Sequence, residues 1–255
     1  MAAQVVSFAN QKGGVGKTTS TLTVGHALAQ RGARVLLVDM DPQASLTISC
    51  GVRPDQLQHS IYHGLFAEDR KTALSRVVGQ ATAVGCDLVP SSVELARAEI
   101  DLISEFNREQ CLRELLEPAV ATYDVVLIDC PPSLGLLTIN ALTASTSVIV
   151  PIQADFLALQ GANLLCETIE RVRKRLNPAL FILGVLVTQF DKRTLHAREV
   201  SDAIAKRFGD LVFPDAVGYT VRLKDAAAAG ESILTFDERS PVAAVYRRVA
   251  QRIMP

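Results

Sequence analysis

Residues 12 to 19, Lys-Gly-Gly-Val-Gly-Lys-Thr-Thr, lie between a short apolar run and a longer amphipathic segment. This arrangement limits the fold more than any other part of the chain. Val5, Val6, Ser7, Phe8 and Ala9 read as a buried strand, and Lys17 to Arg31 read as a helix that Gly32 can terminate. Between them, Gly13, Gly14 and Gly16 let the backbone curl tightly, so that successive N–H groups converge beside the positive end of the helix. A phosphate fits that position and larger side chains would block it. Lys17 is then expected on the terminal phosphates, Thr18 on Mg²⁺ and Thr19 on the phosphate nearest the helix, with Val15 inside the same cradle.

The remaining apolar runs, Arg34 to Val38, Asp87 to Val89, Asp124 to Ile128, Ser147 to Pro151 and Phe181 to Val187, alternate with longer helical patterns. Such alternation predicts an α/β fold, a mainly parallel twisted sheet with helices on both faces and ligands at the carboxyl ends of its strands. With 255 residues, 49% of them hydrophobic and 21% charged, a core can form without disulfides. One domain over residues 1–255 is the economical expectation. Gly51 to Thr72 is the most polar and least regular stretch and is expected to be a surface excursion. Cys50, Cys86, Cys111, Cys130 and Cys166 have no C-x-x-C spacing, which favours reduced cytoplasmic thiols over a zinc site. No run approaches the roughly 18 apolar residues of a membrane span, and the early phosphate loop leaves no room for a signal peptide.

Asp129 directly follows the run Val125 to Ile128, so it should emerge beside the loop and hold Mg²⁺ through a water. Pro131 and Pro132 then prevent an immediate helix and suggest a shaped switch loop. Asp39 and Asp41 end the second strand. Their side chains share a direction only if the chain stays extended through Met40.

Residue 11 is Gln11, not the first glycine of G-x-x-x-x-G-K-T, so the loop is the variant K-G-G-x-G-K-T-[TS]. With Asn10-Gln11, Val35 to Gln43, Val125 to Ser133 and Leu134 to Ser145, it resembles the ParA/Soj family of partition ATPases, P-loop NTPases with a deviant Walker loop. The resemblance implies ATP and Mg²⁺ as cofactors. It also implies that Asp41 orients the attacking water, that Asp39 supports the loop with an indirect metal contact, and that Lys12 reaches the nucleotide of a second subunit in an ATP-sandwiching homodimer. ATP hydrolysis would then dissolve that dimer.

A net charge of −1 gives no global sign of nucleic acid. Basic residues are local, with Arg171, Arg173, Lys174 and Arg175 in one group and Lys192, Arg193, Arg198, Lys206, Arg207, Arg222 and Lys224 in another. Taken alone, such charges are ordinarily solvated helix surface. The resemblance implies that Arg193, Arg222 and Lys224 contact double-stranded DNA nonspecifically. The absence of tryptophan and an aromatic content of 5% argue against a single-strand stacking platform. The resemblance to the family further implies a ParB-type centromere-binding partner and a cytoplasmic, nucleoid-associated protein.

The sequence departs from the family where Ile-Pro-Arg-Asn-Val-Arg becomes Val217-Gly218-Tyr219-Thr220-Val221-Arg222. Gly218 and Thr220 are the expected base contacts, with Thr220 able to bond a base edge. A start near residue 4 leaves no space for an N-terminal helix-turn-helix. The alternative is a MinD-like membrane-associated ATPase, for which Val242, Val245, Val249 and Ile253 supply an apolar stripe opposite Arg247, Arg248 and Arg252. Ser240 and Pro241 begin that helix, whose position suits core packing better, so no membrane is expected. A nitrogenase-iron-protein type would use Cys130 for a cluster, but the surrounding Ile128-Asp-Cys-Pro-Pro-Ser133 fits ParA more simply.

Overall fold

The computed structural model describes residues 3–79, 82–155 and 158–254. Its strands are β1 (Gln4–Phe8), β2 (Val35–Asp39), β3 (Asp87–Val89), β4 (Val125–Asp129), β5 (Ser147–Gln153) and β6 (Phe181–Thr188). They form one sheet in the order β3-β2-β4-β1-β5-β6, and every neighbouring pair runs parallel. Each strand was legible within two residues of its ends. Asp39 and Asp129 are themselves the last residues of β2 and β4 and stand in register.

Alternate residues of the central strands face opposite cores, which explains why these strands read as continuous apolar runs. Val5, Leu36, Val38, Val126 and Ile128 join one core, together with helices Cys111–Thr122, Leu136–Ala144 and Ala158–Arg175. Val6, Phe8, Val35, Leu37, Val125 and Leu127 join the other, with helices Lys17–Gln30 and Pro241–Ile253. At Gly25 the first helix lies so close to β2 that a Cβ would sit 2.7 Å from Leu37 Cδ2. Glycine here is a packing requirement.

The supposed surface excursion needs correction. Helix Ile61–Leu65 falls inside it, and Ile61 and Leu65 are fully buried against the same core as Leu115. Two buried apolar side chains, Ile61 and Leu65, in five residues are too few for periodicity to reveal.

The last helix begins as its sequence indicates, with the Ser240 hydroxyl accepting from Ala243 N at 3.2 Å and Pro241 in the first turn. Val242, Val245, Val249 and Ile253 are buried in the core, and Tyr246 Oη meets Ser20 Oγ at 3.3 Å. The stripe that a membrane reading requires is therefore spent on packing. No helix among the described residues is long and apolar enough to cross a membrane.

Candidate nucleotide site

The loop after β1 is held from three sides. Asn10, almost fully buried, donates from Nδ2 to Pro151 O at 2.6 Å and accepts from Lys12 N at 3.0 Å. The Thr188 hydroxyl donates to Val15 O at 2.8 Å, and the Gln189 side-chain amide donates to Gly14 O. Gly14 and Gly16 have φ of 72° and 86°, left-handed values that only glycine adopts without strain. Val15 is wholly buried and offers the site only its backbone.

At the start of the helix, Thr18 Oγ1 donates to Asp129 Oδ2 at 2.6 Å. Asp129 is fully buried, and its other oxygen, Oδ1, has no hydrogen-bond partner. Burial and the adjacent Asp39 carboxylate push the Asp129 carboxyl up, against the opposing pull of Thr18 and Lys17. A desolvated carboxylate with an unused oxygen beside a hydroxyl is a donor set that suits a hard divalent cation. The residues present thus fit Mg²⁺. Lys17 is buried and donates from Nζ to Lys12 O at 3.1 Å. Burial lowers its pKa, while Asp129, Cys130 and Asp41 hold the charge in place.

The two aspartates at the end of β2, alike in sequence, differ in their surroundings. Asp39 Oδ1 accepts from Asp41 N at 3.1 Å, and Oδ2 accepts from Thr47 N at 2.9 Å and Thr47 Oγ1 at 2.7 Å. Burial pushes the Asp39 carboxyl up to about 6 in spite of these bonds. Its visible role is to anchor the loop. Asp41 Oδ1 accepts from Gln43 N at 2.9 Å, and the residue faces a cavity of about 600 Å³.

That cavity joins most of the expected residues: Gly13, Gly14, Gly16, Lys17, Thr18 and Thr19 at one end, Gly218 and Thr220 at the other. Its volume is in the range of small-molecule sites. Tyr219, which replaces the family's arginine, also lines it, as does Pro132 of the switch loop. Lys12 is not on its wall. Its Nζ lies 2.8 Å from Asp155 Oδ2.

The segments carrying the expected DNA contacts are joined at the Phe190–Gly218 bridge, and each contact has its own immediate partners. Arg193 forms a two-point pair with Asp191, at 2.9 and 2.8 Å. Arg222 Nε lies 3.1 Å from Asp237 Oδ2, with its guanidinium 5.1 Å from the Phe236 ring centre. Lys224 lines the nucleotide cavity. Arg171, Lys174 and Arg207 share a shallow depression with Glu167 and Glu170, so acids interrupt the upstream basic group. Cys130 is fully buried, and burial raises its thiol pKa.

Several positioning residues escaped the sequence reading. Thr47 both binds Asp39 and accepts from Ser91 N at 2.9 Å, while Ser91 Oγ donates to Asp41 O at 2.7 Å. Ser91 follows β3, so no local spacing links it to the aspartates. Asp155 and Gln189 were likewise outside any motif.

A family model described as an AAA domain matches residues 3–182. The sporulation initiation inhibitor protein Soj of Bacillus subtilis is 40% identical over 250 residues, covering 98% of each chain. The chromosome partitioning protein ParA of Caulobacter vibrioides is 39% identical, covering 98% of this chain and 94% of that one. A solved structure named cobyrinic acid a,c-diamide synthase, from Mycobacterium smegmatis with bound ADP and magnesium, is 39% identical. It superposes with a TM-score of 0.84 and covers 98% of this chain and 93% of its own. With relatives that include chromosome partitioning proteins matched almost end to end, and with the phosphate loop and Asp41 lining one cavity while Thr18 of its wall bonds Asp129, the chain belongs to the ParA/Soj family of P-loop NTPases with a deviant Walker loop.

Proposed function

We propose that this chain is a Mg²⁺-dependent ATPase whose ATP-bound homodimer binds double-stranded DNA without sequence preference and releases it on hydrolysis. The observation that carries this reading is the cavity lined by the phosphate loop and Asp41, with Thr18 of its wall bonded to Asp129, whose other oxygen is unpaired. Thr18 and Asp129 would hold Mg²⁺, which when bound neutralises charge on the phosphates. Lys17 would bind the terminal phosphates and Asp41 would orient the attacking water, with Asp39, Thr47 and Ser91 fixing its loop. Gly218 and Thr220 would meet the base.

Lys12 supports the dimer because it stands off the wall of its own cavity, paired with the partly exposed Asp155 carboxylate, which a phosphate can displace at small cost. In a dimer it would contact the partner's nucleotide. A γ-phosphate contacted by both copies stabilises the dimer relative to ADP. Pairing two copies also doubles the phosphate contacts available to Arg193, Arg222 and Lys224, so DNA affinity would rise with assembly.

The name of the ParA relative, chromosome partitioning protein, supports partition as the process; in this reading a ParB-type partner would accelerate hydrolysis and the nucleoid would be the location. The name of the Mycobacterium smegmatis structure describes another reaction, although its ADP and magnesium agree with the site proposed here. Size-resolved DNA binding with ATP, with ADP and without nucleotide tests the proposal. Dimers on DNA only with ATP are expected; DNA binding by monomers regardless of nucleotide would refute it.

A further inference from the structure

Four large apolar side chains stand exposed in one short segment after β3: Val93 at 77%, Ile100 at 71%, Ile103 at 61% and Phe106 at 89%. Their neighbours Leu95, Ala98 and Leu102 are fully buried, so the segment is firmly seated. Its apolar outer face is not a sign of looseness. Isolated exposed hydrophobics are ordinary, whereas four within fourteen residues form a patch that another surface should cover.

Topology decides which surface. Because β3, β2, β4 and β1 are parallel, the segments that follow them emerge at the same edge of the sheet. The patch therefore shares an edge with the phosphate loop, Asp41 and the switch loop. A direct link is also present: Glu99 Oε2 accepts from Leu136 N at 2.9 Å and Oε1 from Leu137 N at 3.4 Å, capping the helix that follows the switch loop. The packing is so close that a Cβ at Gly135 would strike the Glu99 carboxylate.

Charge narrows the occupant. Glu105 is paired with Arg70 at 2.6 Å and Glu109 with Arg108 at 3.0 Å, while Glu99 is spent on the helix cap. Around the patch stand Glu94, 3.9 Å from His63, and Arg97, 4.0 Å from Asp101, whose carboxylate also accepts from Tyr62 Oη at 2.8 Å, so the charges beside the apolar face alternate in sign. A surface of both signs is self-complementary about a two-fold axis, where Arg97 of each copy can meet Glu94 or Asp101 of the other. DNA would find no basic field here. Four side chains fall well short of the roughly 800 Å² per partner in a stable interface, so the contact must continue onto adjoining surface at the same edge.

We propose that Val93, Ile100, Ile103 and Phe106 are the apolar part of the docking face for a second copy of this chain, with Glu99 holding that face to the switch loop. The inference rests on the ATP-dimer reading and adds to it the residues that would carry the contact.

The test uses the full chain with Ile103→Asp and Phe106→Asp, two exposed positions where folding is expected to be unaffected and can be checked by thermal melting. Binding of a fluorescent ATP analogue to dilute monomer should match the parent chain. The protein concentration for half-maximal ATP-dependent dimer, read by light scattering, should rise roughly tenfold or more. Amide exchange over residues 98–106 should slow in step with the dimer fraction. If the parent dimerises with ATP and both variants do so at the same concentration, this face belongs to some other occupant and the inference fails while the dimer reading stands. A parent that stays monomeric with ATP overturns both.

Discussion

Lys12 Nζ lies 2.8 Å from Asp155 Oδ2, so the lysine that opens the phosphate loop is held by a carboxylate just beyond β5 and not by its own cavity. Both side chains are about one-third exposed, and ion pairs of this kind contribute about 0–1 kcal/mol. Such a pair can be exchanged for a phosphate at small cost.

From that pair, Lys12→Ala should retain ATP binding by the monomer but lose ATP-dependent dimerisation. Asp155→Asn should have the opposite effect, releasing Lys12 and lowering the protein concentration needed for the dimer. Sedimentation velocity with and without ATP distinguishes them. If Lys12→Ala dimerises as well as the parent, the lysine does not act across subunits.

Asp41 and Lys17 separate turnover from binding. Lys17→Ala removes the buried ammonium aimed into the phosphate loop and should abolish productive nucleotide binding. Asp41→Ala should keep the ATP dimer while hydrolysis falls on the order of a hundredfold or more, the usual scale for losing a group that positions or deprotonates the attacking water. Normal phosphate release from Asp41→Ala would remove it from that role.

The unpaired Asp129 oxygen makes a metal prediction. Adding Mg²⁺ to the ATP-loaded chain should raise its melting temperature, and chelation should reverse the gain. Asp129→Asn, close in shape but uncharged, should bring the two melting curves together. A magnesium effect that survives in Asp129→Asn would place the ion elsewhere.

How far the sequence reveals this site depends on where the partners lie. The phosphate loop and Asp129 are legible because each function is encoded within one strand and the turn after it. The separation of Asp39 from Asp41 is not, since it depends on Thr47 eight residues away and on Ser91 beyond the next strand. Arg193 and Arg222 look alike as isolated basic residues, yet one pairs with its own loop and the other with Asp237 after a further helix. Local spacing encodes the phosphate chemistry, and tertiary contacts decide what each remaining charge faces.

Arg222 consequently has two duties to distinguish. Arg222→Glu would oppose Asp237 and leave Phe236, so a modest fall in melting temperature is expected along with weaker DNA retention. Arg193→Glu sits in an exposed pair and should weaken DNA retention with little change in melting. If both variants dimerise with ATP and hold DNA at the parent's salt concentration, the DNA surface lies elsewhere.

His26 sets a dependence of stability on pH. It is buried in helix Lys17–Gln30, with Nδ1 2.5 Å from Ser232 Oγ, and that oxygen also accepts from Leu234 N at 3.1 Å. With its oxygen so engaged, the serine hydroxyl can give its proton to a neutral imidazole. Burial lowers the His26 pKa, and Arg247 lowers it further. The unfolded chain, whose histidine has the ordinary value near 6.5, therefore takes up a proton first as pH falls. Stability from this site is complete above that value and declines as pH drops below it toward the folded-state pKa. Melting curves between about pH 7.5 and 5.5 should show a steeper acid-side loss for the parent chain than for His26→Gln, a comparison in which the other titrating groups largely cancel. Equal slopes would mean that His26 titrates alike in both states and that the Ser232 contact carries no protonation preference.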